Sequence, residues 1–173
     1  MARWITLLLG CLVLPAAGAE LEWDDLVPEG WQPDAVYNRV LEEVYGDEPV
    51  EDLDDEDRKA MQLMDAIDRA WRAAPLKASL DNMQVALPGF GVPLDGDAEF
   101  VREFLLVPYF GACIHSPPPP RNQIVLVRMK GKGVPLAVAF DAMWVEGTLK
   151  VSSEDTEFGT AGYVLEGVSA RAY

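Results

Sequence analysis

The stretch AMWVEGTLKVSSEDTEFGTAGYVLEGVSARAY, Ala142 to Tyr173, decides the fold. It holds two alternating runs, Val145-Glu146-Gly147-Thr148-Leu149 and Tyr163-Val164-Leu165-Glu166-Gly167-Val168. Such alternation belongs to strands, whose successive side chains point to opposite faces. Each run carries an internal glycine, and a strand glycine marks a bend or bulge of the kind a small closed sheet needs at its corners. Between the runs, Gly159-Thr160-Ala161-Gly162 supplies a turn, as does Gly131-Lys132-Gly133 farther back.

Working outward toward Leu80, the segments DNMQVALPGFGVPL, EFVREFLLVPYFG, NQIVLVRM and VPLAVAFDAMWVEGTLKVS share this character: rich in Val, Leu, Phe and Tyr, and punctuated by Gly and Pro. Five to six short strands in about 95 residues predict a mainly β domain, and the glycine placement favours a five-stranded, OB-like β-barrel over residues 79–173. Residues 20–78 read as an N-terminal helical extension, so the chain as a whole is α+β. Its first part, ELEWDDLVPEGWQP, suits an extended arm with Trp23, Leu26 and Trp31 on a surface. Pro33 then occupies a first helical position beside Asp34, Val36, Val40, Leu41 and Val44 follow at helical spacing, and Gly46 ends the pattern. After the acidic connector DEPVEDLDDED, a second helix places Ala60, Met64, Ile67 and Trp71 on one face, away from Asp65, Asp68 and Arg72, and stops at Pro75. Met61 and Met64 read as packing residues and not as a soft-metal site.

The first nineteen residues, MARWITLLLGCLVLPAAGA, combine Arg3, an apolar run to Leu14 and small residues at Ala17-Gly18-Ala19. That is the plan of a secretory signal, with cleavage expected before Glu20 and a periplasmic destination. The run is shorter than the roughly 20 apolar residues of a membrane span. Leu8-Leu9-Gly10-Cys11 is an imperfect lipoprotein box, the one route to a membrane attachment, through an acylated Cys11. Cleavage after Ala19 leaves 154 of the 173 residues, one domain's length, and removes Arg3, which takes the net charge from −15 to −16. So acidic a chain is repelled by phosphate backbones, which excludes nucleic acid as a partner. Cys113 then remains as the only thiol, and no internal disulfide can form.

That thiol stands in GACIHSPPPPRNQIVLV, Gly111 to Val127, two residues from the chain's one histidine, His115. On a strand, residues i and i+2 share a face, so the two side chains can converge, and the prolines Pro117 to Pro120 lead the chain out of the sheet without backbone donors. Thiolate and imidazole suit zinc or copper and supply half of a tetrahedral site. Asp141, Glu103, Tyr109 and Met143 are candidates for a third ligand, with no spacing to choose among them. An imidazole could also activate the thiol for nucleophilic or redox chemistry, although no resolving cysteine accompanies it. A buried structural pair is the third reading. The acidic run Glu48 to Asp57 lacks the glycine and ligand spacing of a calcium loop.

PGFGVPL at Pro88–Leu94, EFLLVPYFGACIH at Glu103–His115 and the prolines with Asn122-Gln123 resemble the DUF3299 family, bacterial secreted domains of unknown function. The resemblance covers roughly Leu80 to Tyr173 and leaves the helical region mostly outside. It implies an OB-topology β-barrel, export to the periplasm and a genomic setting near transporters resembling macrolide-type ABC exporters. Gly91 and Ser116 stand where bulkier apolar residues are expected. The resulting expectation is a non-enzymatic periplasmic binding or accessory protein. It would bind zinc or copper through Cys113 and His115, with Asp141 as a weaker third ligand, and work with an envelope transporter. The alternative is a thiol-dependent enzyme or redox protein using Cys113 with His115.

Overall fold

Two helices stand before a mainly β body built on one seven-stranded sheet. The computed structural model describes residues 18–46, 58–112 and 118–173. Residues 1–17 of the expected leader, with Cys11, the acidic run Glu48 to Asp57, and Cys113 and His115 lie outside the described residues. No helix among the described residues is long and apolar enough to cross a membrane.

The strands are β1 (Ala19–Glu20), β2 (Met83–Gly96), β3 (Phe100–Val107), β4 (Val125–Met129), β5 (Val134–Pro135), β6 (Ala142–Thr156) and β7 (Gly159–Ala172). The count exceeds the expected five or six because β1 and β5 are two-residue additions that flank the longer five. The first half of β2 pairs antiparallel with β6, and its second half, from Phe90 on, pairs antiparallel with β3. β3 pairs with β4, β4 runs parallel to β7, and β7 pairs antiparallel with β6, so the pairings of the five longer strands close into a cycle.

Gly147 does what the sequence pattern requires, whereas Gly159 to Gly162, expected as a turn, already belong to β7, and the turn falls at Glu157-Phe158. The β6–β7 register shifts at Glu146/Gly147, and a Cβ on Gly147 would collide with the carbonyl of Glu166. At Gly91, where a bulkier apolar residue is expected from the resemblance, a Cβ would run into the carbonyl oxygen of Ala139, so this fold leaves no room for one.

Continuous apolar runs in β3 and β4 reflect burial on both faces. Phe104, Leu106, Val125, Val127, Tyr163 and Leu165 belong to the main core, with Leu87, Val145 and Leu149. The alternate residues Leu105, Val107, Leu126 and Val164 form a second cluster with Ala112 and Ile124. FVREFLLVPYF is thus a core strand only as far as Val107, for Tyr109 and Phe110 beyond it are 54% and 72% exposed.

Helix α1 spans Pro33–Tyr45, with Pro33 at its first turn and Gly46 closing it at φ +59°, as its local signals predict. Helix α2 spans Arg58–Arg72. The two bury their own cluster, with Val40, Tyr45, Leu63, Ile67 and Trp71 at its centre. Leu63 takes a buried place and Met64 is only half-buried, while Met61 is 54% exposed, so the methionine pair is not the packing face that the spacing predicts. The arm also differs from expectation: Trp23–Leu26 forms a 3-10 turn, Leu26 is wholly buried, and Trp23 and Trp31 are half-buried.

Polar bonds join this helical layer to the sheet. The buried Tyr163 hydroxyl donates to the Leu26 carbonyl (2.7 Å) and accepts the Lys77 amide (2.8 Å). In the turn Arg121–Gln123, Arg121 Nε donates to the Ala74 carbonyl (2.6 Å), Asn122 Nδ2 to that of Pro75 (3.1 Å) and Gln123 Nε2 to that of Trp23 (3.0 Å). Arg72 reaches Asp155 (2.8 Å) and Thr160 (2.9 Å) on the β6–β7 hairpin.

Tyr163→Phe leaves a buried carbonyl and a half-buried amide without their partner, and is expected to cost about 1–3 kcal/mol in equilibrium denaturation. Unchanged stability would show that this hydroxyl does not hold the arm. The surface carboxylates predict the acid behaviour. Hydrogen bonds from Arg102 and from the Glu99 and Phe100 amides hold Asp97 at about 2. Bonds with Arg128, Thr160 and Lys150 likewise lower Glu154, Asp155 and Glu166. A carboxylate lowered in the folded state stabilises above its unfolded pKa of about 4 and loses that contribution as the pH falls through the folded value. The Tm difference between wild type and Asp97→Asn is therefore expected to be constant above about pH 5 and to close between about pH 4 and 2. A difference independent of pH in that window would contradict the assignment.

Candidate functional site

The bonds from Arg121–Gln123 and Tyr163 set the arm and the helix pair against the ends of β3 and β4. They leave between them a cleft of about 820 Å³. The arm contributes Asp24, Asp25, Glu29 and Trp31, the start of α1 contributes Pro33 and Asp34, and the end of α2 contributes Trp71. The sheet side contributes Pro108 and Tyr109 after β3, and Pro118, Pro119, Pro120 and Gln123 before β4. Trp31 and Trp71 meet edge to face with ring centroids 6.3 Å apart, a favoured aromatic geometry. The Trp23 indole N–H donates to the Pro88 carbonyl (2.7 Å) and pins the arm to β2.

The lining is strongly acidic. Asp24, Asp25, Glu29 and Asp34 face a single cation, Lys77. Asp25 also accepts the Glu22 amide (2.9 Å), and Asp34 lies in the first turn of α1, where the helix dipole favours a negative charge. Carboxylates, aromatic faces and a tyrosine hydroxyl are the complement of a cation, whether through oxygen ligation or through the ring quadrupole.

The candidate ligands scatter. Cys113 and His115 lie outside the described residues; nearby, Pro108 and Tyr109 before them and Pro118 to Pro120 after them line the cleft, while Ala112, directly before Cys113, is buried in the second cluster. Of the four candidates for a third ligand, only Tyr109 is on that wall. Glu103 accepts a hydrogen bond from Arg128 Nε (2.9 Å), and Met143 is 2% exposed within the main core. Asp141 lines a different groove, beyond the far end of β4. Among the described residues no three His, Cys, Asp or Glu side chains gather as a metal site.

Sequence reasoning missed the cleft because its walls come from residues 24–34, 71–77 and 108–123, which no local period connects. The signal it offered was the arm itself, where Trp23 and Trp31 alternate with acids and prolines in a segment with no regular core pattern.

A family model described as "Protein of unknown function (DUF3299)" matches residues 23–172. The match begins in the arm and so corrects the expectation that the helical region lies mostly outside the resemblance. A crystal structure of a DUF3299 family protein from Pseudomonas aeruginosa PAO1 is similar at 36% identity and a TM-score of 0.65, over 91% of this chain and 97% of that one. No curated protein matches. The chain belongs to the DUF3299 family.

Proposed function

We propose that this protein is an exported, non-enzymatic binding domain of the cell envelope, and that its ligand is a cation taken up in the cleft between the helical arm and the sheet. The observation that carries the reading is the lining: four carboxylates, two tryptophans and a tyrosine against one lysine. Within this reading Cys113 and His115 hold zinc or copper, the metals that thiolate and imidazole suit. What supports this is that Tyr109, four residues before Cys113, and Pro118, three residues after His115, line the cleft. A lone thiol in an oxidising compartment is protected when it is buried or ligated, which favours a liganded Cys113 over a free one.

The closed cycle of strands is, on the same proposal, a small barrel of OB type. Its support is the circuit β2–β3–β4–β7–β6–β2, antiparallel except at β4–β7, with glycines where the strands bend. The leader reading, with cleavage before Glu20, supplies the route to the periplasm. The accessory role beside an envelope ABC-type transporter comes from the family resemblance.

The test is metal content by mass spectrometry on the mature chain purified without chelator, beside Cys113→Ser and His115→Ala. About one zinc or copper per chain in wild type, lost in both variants, is the expected result. Metal-free wild type that takes up no added zinc overturns the metal assignment. If that same protein reacts rapidly with a thiol reagent at neutral pH, the alternative of a thiol-dependent enzyme takes its place.

A further inference from the structure

A second groove, of about 310 Å³, opens beyond the other end of β4 and has the opposite charge. It lies between β5 with the turn that follows and the last residues of β7. Lys130, Lys132 and Arg171 line it against one carboxylate, Asp141, in a chain whose net charge is −15. Lys130 is shared with Glu166 (3.1 Å), and Arg171 lies over the Trp144 ring at 5.0 Å and 3.9 Å from Glu146. Lys132 sits over the Phe100 ring at 5.1 Å, without an ion pair to any described carboxylate.

The backbone beside this groove is an open strand edge. β4 pairs with β7 only as far as Met129 and Gly167, so from Val168 to Ala172 β7 has β6 on one side and no strand on the other among the described residues. The Tyr173 amide donates to the Ala142 carbonyl, which fixes the phase of this antiparallel ladder. Hydrogen-bonded and non-bonded pairs alternate. Arg171 and Ser169 therefore turn their backbone groups toward β6, and Ala170 and Ala172 turn theirs outward. Val138 and Val168, which also line the groove, are 40% and 58% exposed.

We infer that this edge docks an extended acidic segment of a partner protein, which adds a strand along Val168–Ala172 and sets its carboxylates against Lys130, Lys132 and Arg171. Strand addition needs unpaired backbone groups for affinity and pockets for alternate side chains for specificity, and this place has both. Lysines also serve to blunt edges against unwanted pairing, but that role leaves the groove and the exposed valines unexplained. A second copy of the chain is a poor occupant, since pairing the same edges would bring cation onto cation.

A fluorescent peptide of alternating Val and Glu, its Val–Lys counterpart, and the mature protein at about 50 mM salt give the test by anisotropy. The Glu peptide is expected to bind saturably and the Lys peptide not. The double variant Lys130→Glu/Lys132→Glu and the single variant Ala172→Pro are each expected to weaken binding at least about tenfold. Ala172→Pro removes only an outward amide at an exposed edge position, so its Tm is expected to match wild type. No saturable binding of the Glu peptide up to about 1 mM overturns the inference. So does equal binding of both peptides, or a Glu peptide insensitive to Ala172→Pro in protein that folds normally. A wild-type dimer that Ala172→Pro converts to monomer assigns the edge to a second copy and overturns it as well.

Discussion

Four prolines precede β4, and prolines carry no backbone donor with which to tie the chain to its surroundings. The turn that follows, Arg121–Gln123, makes up for this with side chains. Arg121, Asn122 and Gln123 each grip a carbonyl of the helical layer, while Tyr163 from β7 grips the same layer from within the core. The two helices bury an apolar cluster of their own, while the arm and the segment after α2 send Leu21, Leu26, Leu76 and Leu80 into the main core of the sheet. Apolar anchors hold the layer to the sheet, and these directional bonds set its orientation, since a hydrogen bond fixes geometry more tightly than apolar contact does. The cleft follows from that positioning, because one wall belongs to the helical layer and the other to the sheet.

Charge is segregated along the body. The cleft at the start of β4 gathers carboxylates, and the groove at its end gathers three of the chain's 14 lysines and arginines. A five-residue strand spans only about 17 Å, yet that exceeds the Debye length of about 8 Å in physiological salt, so the two ends present themselves to solvent as separate surfaces. An acidic chain repels nucleic acid as a whole and can still receive an acidic segment locally. Net charge governs encounter at long range, and contact charge governs docking.

Much of the fold was legible in the sequence because its determinants are local. Pro33 and Gly46 delimit α1, alternation with internal glycines reveals β6 and β7, and the motif around Glu103–His115 points to the family. The apolar run Phe104–Val107 of β3 was also legible as part of a strand, although its reason for being apolar on both faces, burial on both, emerges only from the packing. What escaped the sequence is long-range. Leu26 lies among acids and prolines and reads as surface, but the Tyr163 hydroxyl, 137 residues away, holds its carbonyl in the core. Asn122 and Gln123 read as the start of the NQIVLVRM strand segment, but they form a turn whose side-chain partners are 47 and 100 residues distant. The third-ligand candidates illustrate the same limit: composition admits Glu103, Asp141 and Met143, but each is engaged or placed elsewhere, and Tyr109 alone lies on the wall of the cleft.

The central claim, that a cation is held in the cleft beside Cys113 and His115, is tested most directly by anomalous diffraction. Crystals of the mature chain grown with zinc would be measured on either side of the zinc absorption edge. The account predicts one strong anomalous peak in the cleft, between Tyr109 and Pro118. No peak, or a peak confined to the groove that holds Asp141, would contradict it.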